Sequence, residues 1–315
     1  MSKPLLPMAI DVDGTLLKSD ITQEMFWLGL IKFPWLAPKI LYLIVTNRPA
    51  LKAFLMPRLR DIFDPKHLPY NQDVLKRAKA HHEAGGEVIL CSGSEHALIE
   101  TIADHFDYID AGFGTSETVN LVKGNKASFL EKRYPNGFIY FGNSTQDFKV
   151  WAAAHQAFAI RPPKGTEAVR TKIGEAVTIL EQRTPEWGAL LEAARISLIP
   201  FYLLAFMTIA YFWPSEGVRS LAIASLAFGF TVFGLCGLIL LNDIADVAKD
   251  RQHPSKKYRP LSNGRLSATL SAVIGFSFLF VAIITIMTLP APYPPISLAT
   301  MALSVICLVI LNIRK

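Results

Sequence analysis

Cysteine is nearly missing. The chain has three, Cys91, Cys236 and Cys307, and no two are close enough in sequence to frame a metal or redox site. This excludes a zinc module, a C-x-x-C centre and a disulfide scaffold, and leaves the thiols as small buried hydrophobes. The start "MSKPLLPMAIDVDGTL" lacks a basic stretch followed by an apolar core. Without that secretory pattern the first domain is expected to stay in the cytoplasm. Acids are the third scarcity. From Ile196 onward there are four (Glu216, Asp243, Asp246, Asp250) against nine Lys and Arg, a balance of +5, while residues 1–195 stand at +1. The basic excess goes with the apolar part of the chain, and no nucleic-acid partner is expected.

That second part has apolar length instead. Hydrophobic residues make up 51% of the chain, unusual for a soluble protein. Four segments, 196–213, 220–241, 267–289 and 296–313, are each long enough to cross a bilayer core of about 30 Å as a helix. The connector 214–219 has one base and 290–295 none, but the loop 242–265 has six and the chain ends in "IRK". The positive-inside rule then predicts a multi-pass protein of the cell membrane. Its N-terminal domain, central loop and C-terminus would be cytoplasmic. The run "FWLGLIKFPWLAPKILYLIV" at 26–45 contains Lys32, Lys39, Pro34 and Pro38. Two lysines near a bilayer centre cost roughly 2.5–3.5 kcal/mol each, so it is read as two short amphipathic helices on the soluble domain, touching the membrane surface.

Residues 1–160 alternate apolar strands with helical stretches. "PMAIDVDGTLLKSD" at 7–20 reads as a buried strand ending in two acids and a glycine turn. "EVILCSGS" at 87–94 and "GFIYFGNSTQD" at 137–147 also end in polar groups, and helices are expected near 71–83 and 94–106. The pattern predicts a doubly wound, Rossmann-like α/β domain with its site at the carboxyl ends of the strands.

D-x-D-G-T-L resembles the first signature of the haloacid dehalogenase (HAD) superfamily of phosphohydrolases, and three further motifs follow in order. The resemblance implies Asp11 as the nucleophile that forms an aspartyl-phosphate. Asp13 would be general acid/base, with its backbone carbonyl on Mg2+. Ser92 and Lys126 ("GNKASFL") would bind phosphate, and "GNSTQD" would supply Asn143 and Asp147 to the metal. Residues at about 20–70 would form a helical cap. A carboxylate nucleophile beside a phosphate dianion needs Mg2+ and a lysine to offset repulsion. Asn143 departs from the family, which has an acid there. Its amide oxygen binds Mg2+ more weakly. A working phosphatase and a HAD-shaped domain with little turnover both stay open.

The loop after the second apolar segment carries Asn242, Asp243, Asp246 and Asp250 as N-D-x-x-D-x-x-x-D, then Lys256, Lys257, Arg259 and Arg265. Asp243, Asp246 and Asp250 fall at i, i+3 and i+7, one face of a helix. Clustered carboxylates repel unless a cation sits among them, and oxygen-only donors suit Mg2+. Bases beside such a cluster suit a diphosphate. Basic topology and a solvated acidic loop are the ordinary explanations for either half alone.

Together with "RPLSNG" from Arg259 to Gly264, this block resembles the first aspartate-rich motif of the UbiA family of membrane prenyltransferases. The family is all-helical and transfers a prenyl group from a Mg2+-bound prenyl diphosphate. "DRQHPSKKYRP" looks most like the branch that couples phosphoribosyl diphosphate (PRPP) to a polyprenyl phosphate. Prenyl diphosphate or polyprenyl phosphate lipid, membrane lipids and Mg2+ are the implied partners. The family's second motif, D-x-x-x-D, does not occur in these 315 residues, whose last acid is Asp250. The expectation is therefore a UbiA-type transferase, truncated or split, with its missing half supplied by a second chain. A membrane-anchored HAD phosphatase and a membrane protein inactive in both halves are the alternatives. The expected layout is 1–160 for the HAD-like domain, 161–195 for a link and 196–315 for a partial UbiA-like region of about four transmembrane helices.

Overall fold

The structure is a computed structural model that describes residues 5–59, 62–116, 121–163, 177–182, 184–198, 203 and 218–287. The chain divides into two compact units. The first comprises 1–185 with 251–258 and 262–265, and the second comprises 186–250, 259–261 and 266–315.

The first unit opens with β1 (Met8–Ile10), followed by a wide turn at Val12–Leu16. Three helices come next, α1 (Ile21–Lys32), α2 (Ala37–Thr46) and α3 (Arg48–Leu59). The chain continues through α4 (Gln72–Glu83), β2 (Val88–Glu95), α5 (His96–Ala103) and β3 (Ala111–Thr115). It closes with α6 (Gly124–Arg133), β4 (Ile139–Gly142), α7 (Phe148–Ala153), β5 (Gln156–Ile160) and β6 (Val177–Glu181).

The six strands form one parallel sheet in the order β3-β2-β1-β4-β5-β6. "VILC" in β2 and "IYFG" in β4 are apolar at successive positions and buried throughout. This is the signature of strands covered on both faces. Trp151, Tyr140, Phe138 and Leu130 fill one side of the core. The chain runs outward from β1 through β2 to β3, then returns to the far side of β1 as β4. The switch point is thus beside β1, where a doubly wound sheet leaves a crevice at its carboxyl ends. The α/β fold expected from the sequence is the fold observed.

Local chemistry sets the boundaries. The strand read over 7–20 stops at Ile10, because the acid and glycine residues after it turn the chain. The helix expected from 94 starts at His96, since β2 runs on to Glu95. Asp20 caps α1 by accepting from the Gln23 N–H at 2.9 Å. A bridge between Leu17 and Tyr70 closes the base of the three-helix insertion. The 26–45 run is two helices bent by 108° around Pro34–Leu36. β6 lies within the stretch read from sequence as a link, and is the outer strand of the sheet.

The second unit contains α8 (Trp187–Ala193), α9 (Val218–Ala245), most of α10 (Val247–Gln252) and α11 (Ala268–Met287). Among the described residues, two helices are long and apolar enough to cross a membrane, over Phe228–Ala245 and Ala268–Thr285. The other two expected spans, 196–213 and 296–313, lie outside the described residues apart from 196–198 and 203. α9 and α11 meet backbone to backbone. A Cβ on Gly237 would sit 2.8 Å from the Gly275 carbonyl oxygen, so small residues set the approach. Phe233 and Phe278 pack edge to face beside it, with centroids 5.3 Å apart.

Candidate functional site

Asp11 follows the last residue of β1, and its N–H donates to the Phe141 carbonyl of β4 at 2.9 Å. This places the carboxyl at the switch point. Gly14 turns the chain there with φ +74°, and a side chain on it would collide with the Asn143 amide. Glycine at 14 and a flat amide at 143 are matched to each other.

Lys126 comes to Asp11 from α6. Its ammonium donates to Asp11 Oδ1 at 2.7 Å and to the Tyr140 hydroxyl at 3.0 Å, and lies 3.5 Å from Asp147 Oδ1. Tyr140 in turn donates to Asp147 Oδ1 at 2.7 Å. The other Asp147 oxygen accepts from the N–H groups of Asn143 (3.1 Å) and Ser144 (2.9 Å) and from the Ser144 hydroxyl (2.9 Å). Asp147 thus spends both oxygens on the loop and on the lysine–tyrosine pair.

Burial dominates the electrostatics. It pushes the Asp11 carboxyl up to about 7, against the pull of Lys126 and with the Asp147 and Asp13 charges adding to the rise. Burial would also raise Asp147, but Lys126, Tyr140 and Ser144 hold it below the ordinary carboxylate range. Burial alone would lower Lys126, yet the two carboxylates keep it above the usual lysine value. Cys91, nearby in β2, is pushed up to about 12 by burial and is no nucleophile.

Asp13 turns toward β2 and α1. Its Oδ2 accepts from Ser94 at 2.6 Å and from Ser92 at 3.4 Å, and its Oδ1 accepts the Ile21 N–H at 2.8 Å. Asp11, Asp13, Ser92, Lys126, Asn143 and Asp147 are therefore brought together at the carboxyl end of the sheet. Sequence reasoning missed Ser94, Tyr140 and Lys52. Ser94 stands two residues beyond the motif serine and could have been found by strand alternation. Tyr140 reads only as strand core, and Lys52, whose Nζ donates to the Gly93 carbonyl at 2.9 Å, reads only as a helix lysine.

The acids of the second unit are also gathered. α9 continues through Asn242 and Asp243, and i→i+4 backbone bonds run on past the turn at Asp246 (Asp246 to Asn242, Asp250 to Asp246, both 2.9 Å). Asp243 and Asp250 are buried. Arg259 binds both, at 3.3 Å from Asp243 Oδ1 and 2.6 Å from Asp250 Oδ2, and Arg195 lies 3.4 Å from Asp243. Asp246 accepts from the Asn242 amide at 3.1 Å and faces Lys249 at 3.8 Å. Arg259 and Arg195 thus set positive charge against Asp243 and Asp250. Lys256, Lys257 and Arg265 belong to the first unit. Lys257 lies over the Tyr258 ring, and Arg265 donates to the Tyr258 carbonyl at 3.2 Å.

Neither group forms a cluster of three or more carboxylate, histidine or cysteine ligands with metal-holding geometry among the described residues. The donors are nevertheless hard oxygens. Asp11, the Asp13 carbonyl, the Asn143 amide and Asp147 are donors of the type that fits Mg2+.

Comparison with known proteins gives a family for each part. The haloacid dehalogenase-like hydrolase family matches residues 9–152, and the UbiA prenyltransferase family matches 203–313. Uncharacterized protein y4nM of Sinorhizobium fredii is 29% identical over 265 residues, 83% of this chain and 51% of its own. Decaprenyl-phosphate phosphoribosyltransferase of Corynebacterium glutamicum is 36% identical over 70 residues, 19% of this chain and 21% of its own. The chain thus spans about half the length of the first relative and about a fifth of the second. A solved protein of unknown function from Bordetella pertussis Tohama I matches 56% of this chain and 98% of its own at 14% identity, with a TM-score of 0.42. The first part of the chain is thus similar to haloacid dehalogenase-like hydrolases, and the second, with its two long apolar helices, to UbiA prenyltransferases.

Proposed function

We propose that the first unit is a phosphomonoester hydrolase and that the UbiA domain binds a Mg2+-diphosphate or phosphate-headed prenyl lipid, the two serving one lipid-modifying reaction. The observation that carries the hydrolase reading is the buried Asp11–Lys126 pair at 2.7 Å, set at the switch point of the sheet. Asp11 Oδ2 attacks phosphorus and the bond to the ester oxygen breaks. Asp13 gives its proton to the leaving alkoxide. Asp13 then takes a proton from water, which attacks the aspartyl-phosphate and returns phosphate and a free Asp11. Lys126 neutralises charge on Asp11, and Tyr140 and Asp147 hold the lysine. Ser92 and Ser94 supply hydroxyl donors. Mg2+, held by Asp11, the Asp13 carbonyl, Asn143 and Asp147, would offset repulsion between nucleophile and phosphate.

For the UbiA domain, Asn242, Asp243, Asp246 and Asp250 are the oxygen donors toward Mg2+, and Arg259 donates N–H groups to the anion. Lys256, Lys257 and Arg265 are assigned to the anion on sequence grounds. The substrates proposed are PRPP and a polyprenyl phosphate, in keeping with the similarity to a decaprenyl-phosphate phosphoribosyltransferase, and their phosphoribose product carries a phosphate for the hydrolase to remove. A second reading, a membrane-anchored phosphatase, is favoured by one observation: Arg259 already occupies Asp243 and Asp250.

The test uses the chain in nanodiscs. Hydrolysis of p-nitrophenyl phosphate that depends on Mg2+ and disappears in Asp11→Asn supports the hydrolase. Wild-type inactivity with several monoesters would sink it. Mg2+-dependent binding of inorganic diphosphate, lost in Asp243→Asn/Asp246→Asn, supports the lipid-diphosphate role. Binding unchanged by that pair of substitutions leaves only the anchored phosphatase.

A further inference from the structure

α2 is amphipathic the wrong way round for a helix on a soluble domain. Its inner face is fixed by Ile40, wholly buried and packed with Leu55 around Gly29 of α1. Its outer stripe is Pro38, Leu41, Tyr42 and Val45, at i, i+3, i+4 and i+7. Leu41 is 50% exposed, Tyr42 66% and Val45 84%. Trp35, in the bend before the helix, is 70% exposed. An outward patch of this kind marks a contact surface.

The charge around it identifies the partner. From Met25 to Arg60 there is no acidic residue, while Lys32, Lys39, Arg48, Lys52, Arg58 and Arg60 are all basic. Lys39 and Arg58 flank the same ring, each 4.2 Å from the Phe54 centroid, and both are exposed. An apolar stripe with tryptophan and tyrosine, bordered only by cations, matches the acyl–headgroup boundary of an anionic bilayer. A protein partner of matching charge would leave the aliphatic stripe needing a separate apolar pocket, whereas a lipid surface meets both. The chain's own apolar helices keep a bilayer at high effective concentration.

We propose that α2 and the Pro34–Leu36 bend form an interfacial foot that lies in the headgroup region of an anionic membrane, with Trp35, Leu41, Tyr42 and Val45 inserted and Lys39 and Arg58 on the lipid phosphates. The bend of 108° between α1 and α2 suits an element lying in the surface plane, and a broken span is an outcome of the test.

The full chain tests this, with its three cysteines replaced by alanine and an environment-sensitive fluorophore on Val45→Cys. Lys79→Cys, an exposed position on α4, is the reference. In liposomes of phosphatidylcholine and phosphatidylglycerol, insertion of about 5–10 Å brings the label at position 45 to a shallow nitroxide lipid, so it should lose on the order of half its emission. The label at the reference position should be unaffected. Quenching should weaken without the anionic lipid and at high salt. Three results overturn the proposal. One is emission from the α2 label that is aqueous and unquenched. Another is stronger quenching by a deep nitroxide, which means a span. The third is a blue shift that follows protein density without lipid quenching, which means a second copy covers the stripe. None of these readouts depends on catalysis.

Discussion

Arg251 gives the sharpest test of how the stretch after the acidic helix is held. Its guanidinium meets Glu24 of α1 in a two-pronged pair, 2.6 Å and 3.1 Å, with the side chains 2% and 4% exposed. Its Nε also donates to the Ser262 carbonyl at 3.3 Å. All three residues belong to the first unit. Arg251→Met leaves the Glu24 carboxylate buried without a partner, which costs about 3–5 kcal/mol. For a unit of this size each kcal/mol moves the melting temperature by about 2–4 °C, so the variant should melt roughly 6–20 °C lower. Arg251→Met/Glu24→Leu removes both charges and should return to within about 1 kcal/mol of wild type. Glu24→Leu alone should be destabilised much as Arg251→Met is. The assay is thermal unfolding in nanodiscs followed by tryptophan emission, closed as a double-mutant cycle. A loss under about 1 kcal/mol in the single variant, or a double variant equal to the sum of the singles, would refute the reasoning that desolvation makes this pair all-or-none.

Gly14→Ala forces a side chain into left-handed backbone and against the Asn143 amide, so monoester hydrolysis should fall at least tenfold while the unit loses about 1–3 kcal/mol. Arg259→Met leaves Asp243 and Asp250 buried without their shared cation. It should destabilise the second unit by about 2 kcal/mol in thermal unfolding, and Mg2+ should restore more of that loss than it adds to wild type. Gly237→Leu drives a side chain into the Gly275 backbone, and protease accessibility of the α9–α11 pair should rise. Asp11 also links stability to pH. Its carboxyl is raised from 3.8 to about 7, so the folded state keeps a proton that the unfolded chain releases. The stabilisation is full below the unfolded value and is lost as pH rises through about 7. Chelator-treated protein should therefore melt lower at pH 8 than at pH 5, and Asp11→Asn should flatten that dependence.

The sequence by itself determined the strand cores, since "VILC" and "IYFG" have no polar face to show water. It determined the two long apolar helices by length, and the order of Asp11, Ser92, Lys126 and Asp147 by spacing. Pro34 and Pro38 marked where the 26–45 run breaks into two helices. The sequence could not show what neutralises each acid, because counter-charge is a matter of distance and not of order. Tertiary structure set Lys126 between Asp11 and Asp147 through Tyr140, a residue that reads only as core. It set Arg259 against both Asp243 and Asp250. It also paired Glu24 with Arg251 across 227 positions, a partner no local pattern could name. Burial decided these pairings. Once a carboxylate leaves water, only cations or hydrogen-bond donors in contact can keep it charged, and the fold alone brings those contacts about.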